Sequence, residues 1–336
     1  MTGSENTPDD PKLRSDPVLH RVLEDVGQVG AEMEQRRVDE LLAKERLFGV
    51  LEDQEPKRHL IAYLTGPALG SIGMVDAAPI GSMLDAIGRC DNLDLLLNSP
   101  GGSGETAEKL IEMCREHCRR EFRVVVPNYA KSAATLIGLG ADQIVMGYLS
   151  ELGPIDPQFL MVVGGVEQYV SGQSYIQAYE RTQKKIKEAV DSGESPLGYL
   201  HSLNASSMEP AFVEHCRRGI KFSRDLAKKF LPEHQLKAKY RGKSGYGRKK
   251  LGELAEEAAE NLLSREARFS HGRLIGPDEA RDEVGLNVVL LDRDDPVWEA
   301  YWELYVRSEV YMQTAAIGDR PVSKLFFDRE TTLPAY

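Results

Sequence analysis

The chain has 336 residues, which is enough for one large α/β domain with additions or for two smaller domains. With 41% hydrophobic and 28% charged residues, it has the composition of a globular protein with a large core. The formal net charge of −11 argues against a nucleic-acid partner, because phosphate backbones bind basic surfaces. No apolar run approaches the roughly 20 residues that span a bilayer, which argues against a membrane partner.

The amino-terminal part of the chain divides into a tail and a helical arm. Residues 1–16 are polar and acidic and contain no apolar run typical of a secretory signal. We therefore expect a disordered tail on a soluble, cytoplasmic protein. Apolar residues then recur at spacings of three and four, which predicts an amino-terminal helical arm over residues 17–55. Such an arm buries its apolar stripe either on the sheet domain or against a neighbouring subunit.

Residues 56–292 are predicted to form the main α/β domain. Apolar runs that are too short for helices predict strands at 59–64, 93–97, 122–126 and 143–146. Helical patterns separate these strands at 79–90, at 105–118 and from Ser132 to about residue 140. Strands that alternate with helices in this way indicate a parallel sheet.

The second half of this domain is predicted to carry a helical insertion. A hairpin at 160–170 precedes the insertion, which covers about 174–264 and contains predicted helices at 174–190, 208–230 and 251–263, with a polar loop at 191–207. The basic segment 234–250 is interpreted as a solvated loop or a lid rather than a nucleic-acid contact, because the whole chain is acidic. A strand at 288–291 completes the domain, and residues 293–336 hold an aromatic helix at 298–311 and a mixed tail.

The four cysteines are Cys90, Cys114, Cys118 and Cys216. Cys114 and Cys118 lie one turn apart in a predicted helix, but the sequence offers no second ligand pair for a zinc site. We therefore predict buried free thiols in a reducing compartment, and no metal.

Two strand exits carry residues suited to acyl transfer. The first reads SPGGSG from Ser99 to Gly104, and the second reads NYAKSAA around Ser132. A serine flanked by small residues can attack a carbonyl, and glycine-rich backbone can hold the resulting oxyanion. The same residues are also compatible with a tight turn that needs positive φ, with a G-x-G-x-x-A dinucleotide loop, or with a serine that caps a helix. The dinucleotide fingerprint lacks the carboxylate it needs near Asn128.

Three motifs resemble the Clp-protease/crotonase superfamily. They are, in chain order, LLLNSPGG, AKSAATLIGLGADQIVMG and SELGPIDPQ. More narrowly, they resemble the serine dehydrogenase proteinase family, relatives of signal peptide peptidase A. The resemblance covers about residues 58–160, with a weaker similarity over 272–289. It implies an α/β fold with a Clp-protease/crotonase-like parallel sheet (a ββα superhelix), extended here by amino-terminal and carboxy-terminal helices. It also implies a homo-oligomer that acts on peptide or protein substrates without a cofactor.

The resemblance assigns roles to individual residues. Ser132 matches the nucleophile, Gly101 and Gly102 match the oxyanion-hole turn, and the amide of Ala133 is a possible second donor. The histidine of Clp subunits has no counterpart in the corresponding window, residues 153–157.

Signal peptide peptidases take a lysine base from a later segment. Here that helix offers Lys184, our first candidate, beside Lys185 and Lys187. Further candidates are Asp156 between two prolines, Lys131, which can instead face the substrate or a neighbouring subunit, and His271, whose alternative role is in a capped turn.

The predicted function is a soluble serine peptidase, most simply of the Ser-Lys type, that forms an acyl-enzyme on Ser132. Two alternatives remain open. The first is a non-catalytic scaffold that kept the fold and lost the base. The second is a crotonase-like enzyme that uses the same oxyanion turn on an acyl-CoA thioester.

Overall fold

The fold is taken from a computed structural model, which describes residues 17–66, 70–163, 165–205, 209–263, 274–314, 316–317 and 320–335. The predicted tail, residues 1–16, lies outside the described residues. None of the helices in the described ranges combines the length and the apolar composition that a membrane span requires.

The strands in chain order are β1 (His59–Thr65), β2 (Cys90–Asn98), β3 (Cys118–Val126), β4 (Tyr129–Ala130), β5 (Gln143–Met146), β6 (Glu151–Leu152), β7 (Gln158–Val163), β8 (Val166–Ser171), β9 (Val288–Leu290), β10 (Ala316–Ile317), β11 (Arg320–Pro321), β12 (Lys324–Phe327) and β13 (Thr332–Ala335). The α-helices are α1 (Pro17–Glu52), α2 (Ala77–Ile87), α3 (Gly104–His117), α4 (Ala133–Leu139), α5 (Gly172–Ser192), α6 (Leu197–Ala205), α7 (Pro210–Glu233), α8 (Gln235–Lys239), α9 (Arg248–Leu262) and α10 (Pro296–Thr314). A short 3₁₀ helix, Met74–Asp76, precedes α2, and a π-helical turn, Glu279–Glu283, precedes β9.

A seven-stranded sheet forms the centre of the fold, in the order β13-β12-β1-β2-β3-β5-β9. The strands from β1 to β9 in this order run parallel, and β12 and β13 extend the sheet antiparallel at the β1 edge. The inner strands are buried on both faces, which explains why they read as continuous apolar runs rather than as alternating ones. The predicted α/β fold with a mostly parallel sheet is confirmed.

Two hydrophobic layers cover the two faces of the sheet. Residues alternate along β1, so that Ile61 and Tyr63 belong to one layer and Leu60 and Leu64 to the other. The first layer contains the apolar faces of α2, α3, α4, α7 and α9. The second is formed by the carboxy-terminal half of α1 and by α10. The helical arm therefore packs on the sheet, the first of the two arrangements that the sequence allowed.

The structure differs from the sequence-based elements at four places. The basic segment 234–250, predicted as a solvated loop or a lid, contains α8, whose first two residues, Gln235 and Leu236, are buried. The helix predicted over 105–118 ends at His117, because Cys118 already pairs with Cys90 as the first residue of β3. The segment predicted as a loop at 191–207 contains α6. The tail contributes β12 and β13 to the central sheet, because the short apolar run of β12 finds an edge strand, β1, with which to pair.

Candidate active site

The turn after β2 is held in a conformation that requires glycine. Gly101 has φ 108° and Gly102 has φ 146°, which side-chain-bearing residues rarely adopt. The Ile72 amide donates to the Gly101 carbonyl at 2.7 Å, and the Ser103 amide donates to the Ile72 carbonyl at 2.9 Å. A Cβ atom at Gly102 would lie 2.3 Å from the Ile72 oxygen. The turn is therefore fixed against the chain at Ile72 by contacts that leave no room for a side chain.

The other side of the turn contacts Ser132. A Cβ atom at Gly101 would lie 2.7 Å from the Ser132 Cβ and 3.1 Å from the Ala133 amide nitrogen. The Lys131 amide donates to the Ser99 carbonyl at 3.0 Å, which joins the two strand exits. The four residues predicted as nucleophile and oxyanion hole, Gly101, Gly102, Ser132 and Ala133, thus lie together.

Ser132 adopts a strained backbone conformation at the start of α4. Its φ of 52° and ψ of −117° make it the one non-glycine residue with positive φ among the described residues. Its side chain makes no capping hydrogen bond to α4. The alternative interpretation of Ser132 as an ordinary helix cap therefore does not apply. Strain of this kind costs on the order of 1–3 kcal/mol and is typical of functional sites.

Two backbone donors beside Ser132 have no partner. In the described part of the chain, neither the Gly102 amide nor the Ala133 amide donates to a protein acceptor. The Gly101 amide, by contrast, donates to Ser99 Oγ at 3.2 Å. The arrangement leaves two N–H groups, from two different strand exits, available to an external oxygen atom.

A cavity of about 700 Å³ opens over these groups. Its walls include the glycine-rich turn, the start of α4, and apolar and aromatic side chains from β7, β8 and α7. The lining residues are Gly70, Ser71, Pro100, Gly101, Gly102, Ser103, Gly104, Glu105, Ser132, Ala133, Leu136, Ile155, Pro157, Gln158, Phe159, Tyr169, His215, Gly219, Phe222 and Ser223. A site of this size and composition accommodates an apolar side chain next to a polar reacting group.

Asp156 and Lys184, the remaining predicted catalytic residues, lie outside the wall of this cavity. Asp156 is buried between Ile155 and Pro157, which do line it. The structure does not bring Lys184 to Ser132. The Lys184 side chain is 78% exposed on α5, and its Nζ lies 3.8 Å from a Glu188 carboxylate oxygen. The buried face of α5 is formed by Tyr175, Ile176 and Ala189, which places Lys184 on the solvent side of the helix.

Two other candidates from the sequence have different outcomes. The Nζ of Lys131 forms an ion pair with Glu151 at 2.6 Å, so its ammonium group is already engaged. His271 lies outside the described residues.

His215 is a cavity residue that sequence reasoning missed. It lies on α7, and its ring centroid is 5.0 Å from that of Phe159. The α7 residues that line the cavity, His215, Gly219, Phe222 and Ser223, recur at the spacing of one helix face. That spacing, with a glycine inside an otherwise regular helix, is the signal in the sequence that could have identified this wall.

None of the described residues form a cluster of three or more histidine, cysteine, aspartate or glutamate side chains able to hold a metal ion.

Comparison with known proteins shows a family that this part of the chain resembles. Residues 43–191 match the ClpP-like SDH-type serine proteinases. An uncharacterized protein of Methanocaldococcus jannaschii, MJ0137, is 29% identical over 247 residues, which cover 74% of this chain and 68% of that protein. A second protein of this organism, MJ1495, is 33% identical over 96 residues, or 29% of this chain and 30% of that protein.

Solved structures of proteases are also similar. ClpP1 from Listeria monocytogenes has 13% sequence identity and a TM-score of 0.34, and the match covers 71% of this chain and 94% of that one. A variant of the 1510-N membrane-bound stomatin-specific protease has 15% identity and a TM-score of 0.27, over 42% of this chain and 66% of that one. The family match confirms the resemblance predicted from the three motifs and the Clp-protease type of fold. The part of the chain that carries the glycine turn and Ser132, residues 43–191, is thus similar to the ClpP-like SDH-type serine proteinases.

Proposed function

We propose that this protein is a serine peptidase in which Ser132 is the nucleophile and the Gly102 and Ala133 amides form the oxyanion hole. One observation carries the proposal. A strained serine whose hydroxyl caps no helix lies beside two backbone amides that have no acceptor, within one cavity. Similarity to a family of serine proteinases supports the same reaction class.

The proposed reaction has two halves. Ser132 Oγ attacks the carbonyl carbon of a peptide bond and gives its proton to a base, while the carbonyl oxygen takes the negative charge between the two amides. Collapse of this intermediate expels the amine and leaves an ester on Ser132, which water then hydrolyses. Gly101 positions the turn, because its own amide is bonded to Ser99 Oγ.

We assign the role of proton acceptor to His215. Of the cavity-lining side chains, those that titrate are Glu105, Tyr169 and His215. Imidazole is the one of these three groups that accepts a proton efficiently near neutral pH, directly or through one water. Glu105 already accepts a hydrogen bond from Ser103 Oγ at 2.9 Å. The competing prediction from the sequence, Lys184, requires this exposed side chain to act on a site whose wall does not include it.

The nucleophile is tested with Ser132→Ala beside a matched control, Ser223→Ala, which removes another serine hydroxyl from the same cavity. Turnover of an unfolded protein and of a small ester should fall by about 10³-fold or more in the first variant and stay within a few-fold in the second. A fluorophosphonate probe should label the wild type at Ser132. Undiminished turnover in Ser132→Ala eliminates this mechanism.

The base is tested with His215→Gln and Lys184→Met. The first variant should lose turnover, whereas the second should keep it. The reverse pattern would overturn the assignment of His215 in favour of the Ser-Lys type.

The alternatives make different predictions in the same experiments. A scaffold that lost its base leaves Ser132 unlabelled by the fluorophosphonate in every oligomeric state. A crotonase-like enzyme is stabilised in a thermal shift assay by acyl-CoA, and the peptidase proposal expects no such stabilisation.

We also propose that the chain forms a homo-oligomer. The β7–β8 hairpin exposes four large apolar side chains, each more than half accessible, beside the cavity: Leu160, Val162, Val166 and Tyr169. Leu160, Val162 and Tyr169 lie on one face of the hairpin, because Leu160 pairs with Tyr169 and the faces alternate along β7, whereas Val166 lies on the other face. An exposed apolar surface of this kind is typical of a protein interface. Sedimentation of the purified chain should give a species larger than the monomer, and Leu160→Asp with Val162→Asp should dissociate it. A monomeric wild type at micromolar concentration would refute this part of the proposal.

A further inference from the structure

The cysteines of β2 and β3 lie side by side on adjacent strands of the sheet. Cys90 begins β2, Cys118 begins β3, and the two residues are direct partners in the parallel ladder. Neighbouring strands lie about 4.8 Å apart, and disulfides span Cα separations of about 4.4–6.8 Å. The register shifts between Cys90 and Asn92, so the backbone here is already irregular. A bond between the two sulfur atoms is therefore within reach of small local adjustments.

The two thiols differ in access and in acidity. Cys118 is half-buried and its Sγ donates to the Asp91 carbonyl at 3.4 Å, whereas Cys90 is only 6% exposed. The hydrogen bond with Cys90 lowers the pKa of Cys118 to about 7 against the opposing effect of burial. The same hydrogen bond, together with burial, raises the pKa of Cys90. The inner Cys90 sulfur thus holds its proton more tightly than the outer Cys118 sulfur, which makes Cys118 the more acidic and more reactive of the two thiols.

The other two cysteines have the opposite character. Cys114 and Cys216 are fully buried, and burial raises their pKa to about 12 and about 11, respectively. They provide internal controls, because thiols that stay protonated and inaccessible react slowly with electrophiles and oxidants.

We propose that Cys118 and Cys90 are a peroxide-oxidisable dithiol, in which Cys118 reacts first and Cys90 closes an intramolecular disulfide. The Cys118 thiolate attacks one oxygen of hydrogen peroxide, the O–O bond breaks, and the departing hydroxide leaves as water after taking up a proton. Cys118 then carries a sulfenic acid. The Cys90 sulfur attacks the Cys118 sulfur, the S–O bond breaks, and the second hydroxide leaves as water with the Cys90 proton. Two thiols and one peroxide give one disulfide and two waters.

The position of this pair suggests what the bond would constrain. β2 and β3 lead from Cys90 and Cys118 to the two strand exits that hold Gly101 and Ser132. The disulfide would join the first residues of the two strands, at the ends far from Gly101 and Ser132. It would enclose α3 in a covalent loop. We expect it to raise the midpoint of thermal unfolding, because a cross-link reduces the freedom of the unfolded chain.

The first test uses the reduced full-length chain. Stoichiometric hydrogen peroxide should lower the intact mass by two hydrogen atoms, and a non-reducing digest should link the peptides that contain Cys90 and Cys118. Dithiothreitol should reverse both changes, and limiting iodoacetamide should alkylate Cys118 before the other three cysteines. A disulfide between a different pair, or equal alkylation of all four cysteines, would overturn the proposal.

Variants separate the two roles. Cys90→Ser should stop at a Cys118 sulfenic acid that dimedone traps, Cys118→Ser should resist peroxide, and Cys216→Ser should behave as the wild type. Formation of the same oxidised species in Cys118→Ser would contradict the assigned order. The alkylation test is made on the unaltered chain, so it decides the proposal even if a variant folds poorly.

Discussion

Replacement of Gly101 by alanine should impair catalysis beyond any loss of folded protein. The added Cβ atom would lie 2.6 Å from the Lys131 carbonyl oxygen and 2.7 Å from the Ser132 Cβ. Attractive contact between non-bonded heavy atoms begins at about 3.5 Å, so these groups must separate by close to ~1 Å. One proposed oxyanion donor, the Gly102 amide, lies on the glycine turn, and the other, the Ala133 amide, lies on the segment that must move away. The separation therefore displaces the two amides relative to each other.

The expected loss follows from that displacement. An oxyanion donor works at about 2.7–3.1 Å from the charged oxygen, and removal of one donor costs about 10²–10³ in kcat. We therefore expect kcat for a small ester to fall by about 10²-fold or more in Gly101→Ala. The φ of 108° adds a folding cost on the order of 1–3 kcal/mol, which urea unfolding will measure separately.

A matched glycine isolates the effect of the clash. Gly193 ends α5 with φ 76°, and nothing lies within 4 Å of the position of an added Cβ. Gly193→Ala should therefore lose about 1 kcal/mol of stability, as expected for a left-handed alanine, and keep full turnover. If Gly101→Ala is folded and turns over the ester within a few-fold of the wild type, the assignment of the turn to the oxyanion hole is refuted.

Three further predictions concern buried ionisable groups, each measured by urea unfolding. Burial lowers the pKa of His234 to about 4, so between this pKa and that of a free histidine the unfolded chain is protonated at His234 and the folded chain is not. Stability should decline by about 3 kcal/mol at most as pH falls from about 6.5 to 4, and His234→Gln should remove that slope. Burial alone would raise the pKa of Asp94, but Arg123 and Arg58 outweigh it and lower the pKa. The contribution of Asp94 to the free energy of unfolding should therefore persist at pH 5 and be lost only below about pH 3.9. Asp94→Asn at pH 7 should lower the free energy of unfolding by about 3–5 kcal/mol. Asp76→Asn should cost a similar amount, because it leaves a buried lysine ammonium without its counter-charge.

The glycine turn at Gly101 and Gly102, the proposed oxyanion hole, could be predicted from the sequence because its signals are local. A buried parallel strand followed by SPGG specifies both the sheet edge and the positive φ angles of Gly101 and Gly102. Ser132 was identified by its small neighbours and its place at the adjacent exit. The sequence did not show which amide of the turn is free to bind an oxyanion. The Gly101 amide is excluded by its hydrogen bond to Ser99 Oγ, which forms only in the folded turn.

The proposed proton acceptor, His215, was not accessible in the same way, because its placement depends on which helix face meets the cavity. The sequence favoured Lys184 by alignment with a family segment, but the apolar stripe of α5 turns that lysine to solvent. His215 lies on α7, the second helix after α5, and reaches the cavity only because α7 packs across α4. The spacing of its helix face is visible in the sequence, but the contact of that face with a distant segment is not.

The carboxy-terminal strands show how such distant contacts reach the site itself. Lys324 on β12 donates to Asp76 Oδ1 at 2.7 Å, and Asp76 Oδ2 accepts the Gly73 amide at 2.7 Å and the Tyr63 hydroxyl at 2.6 Å. The residue before Gly73 is Ile72, whose backbone clamps the glycine turn. An ion pair made by a tail that looked irregular in the sequence is therefore linked, through the Gly73 amide, to the residue next to Ile72, which holds the proposed oxyanion turn. Since a buried charge without its partner relaxes toward solvent, loss of Lys324 should loosen the segment that carries Ile72 before it disturbs the strands.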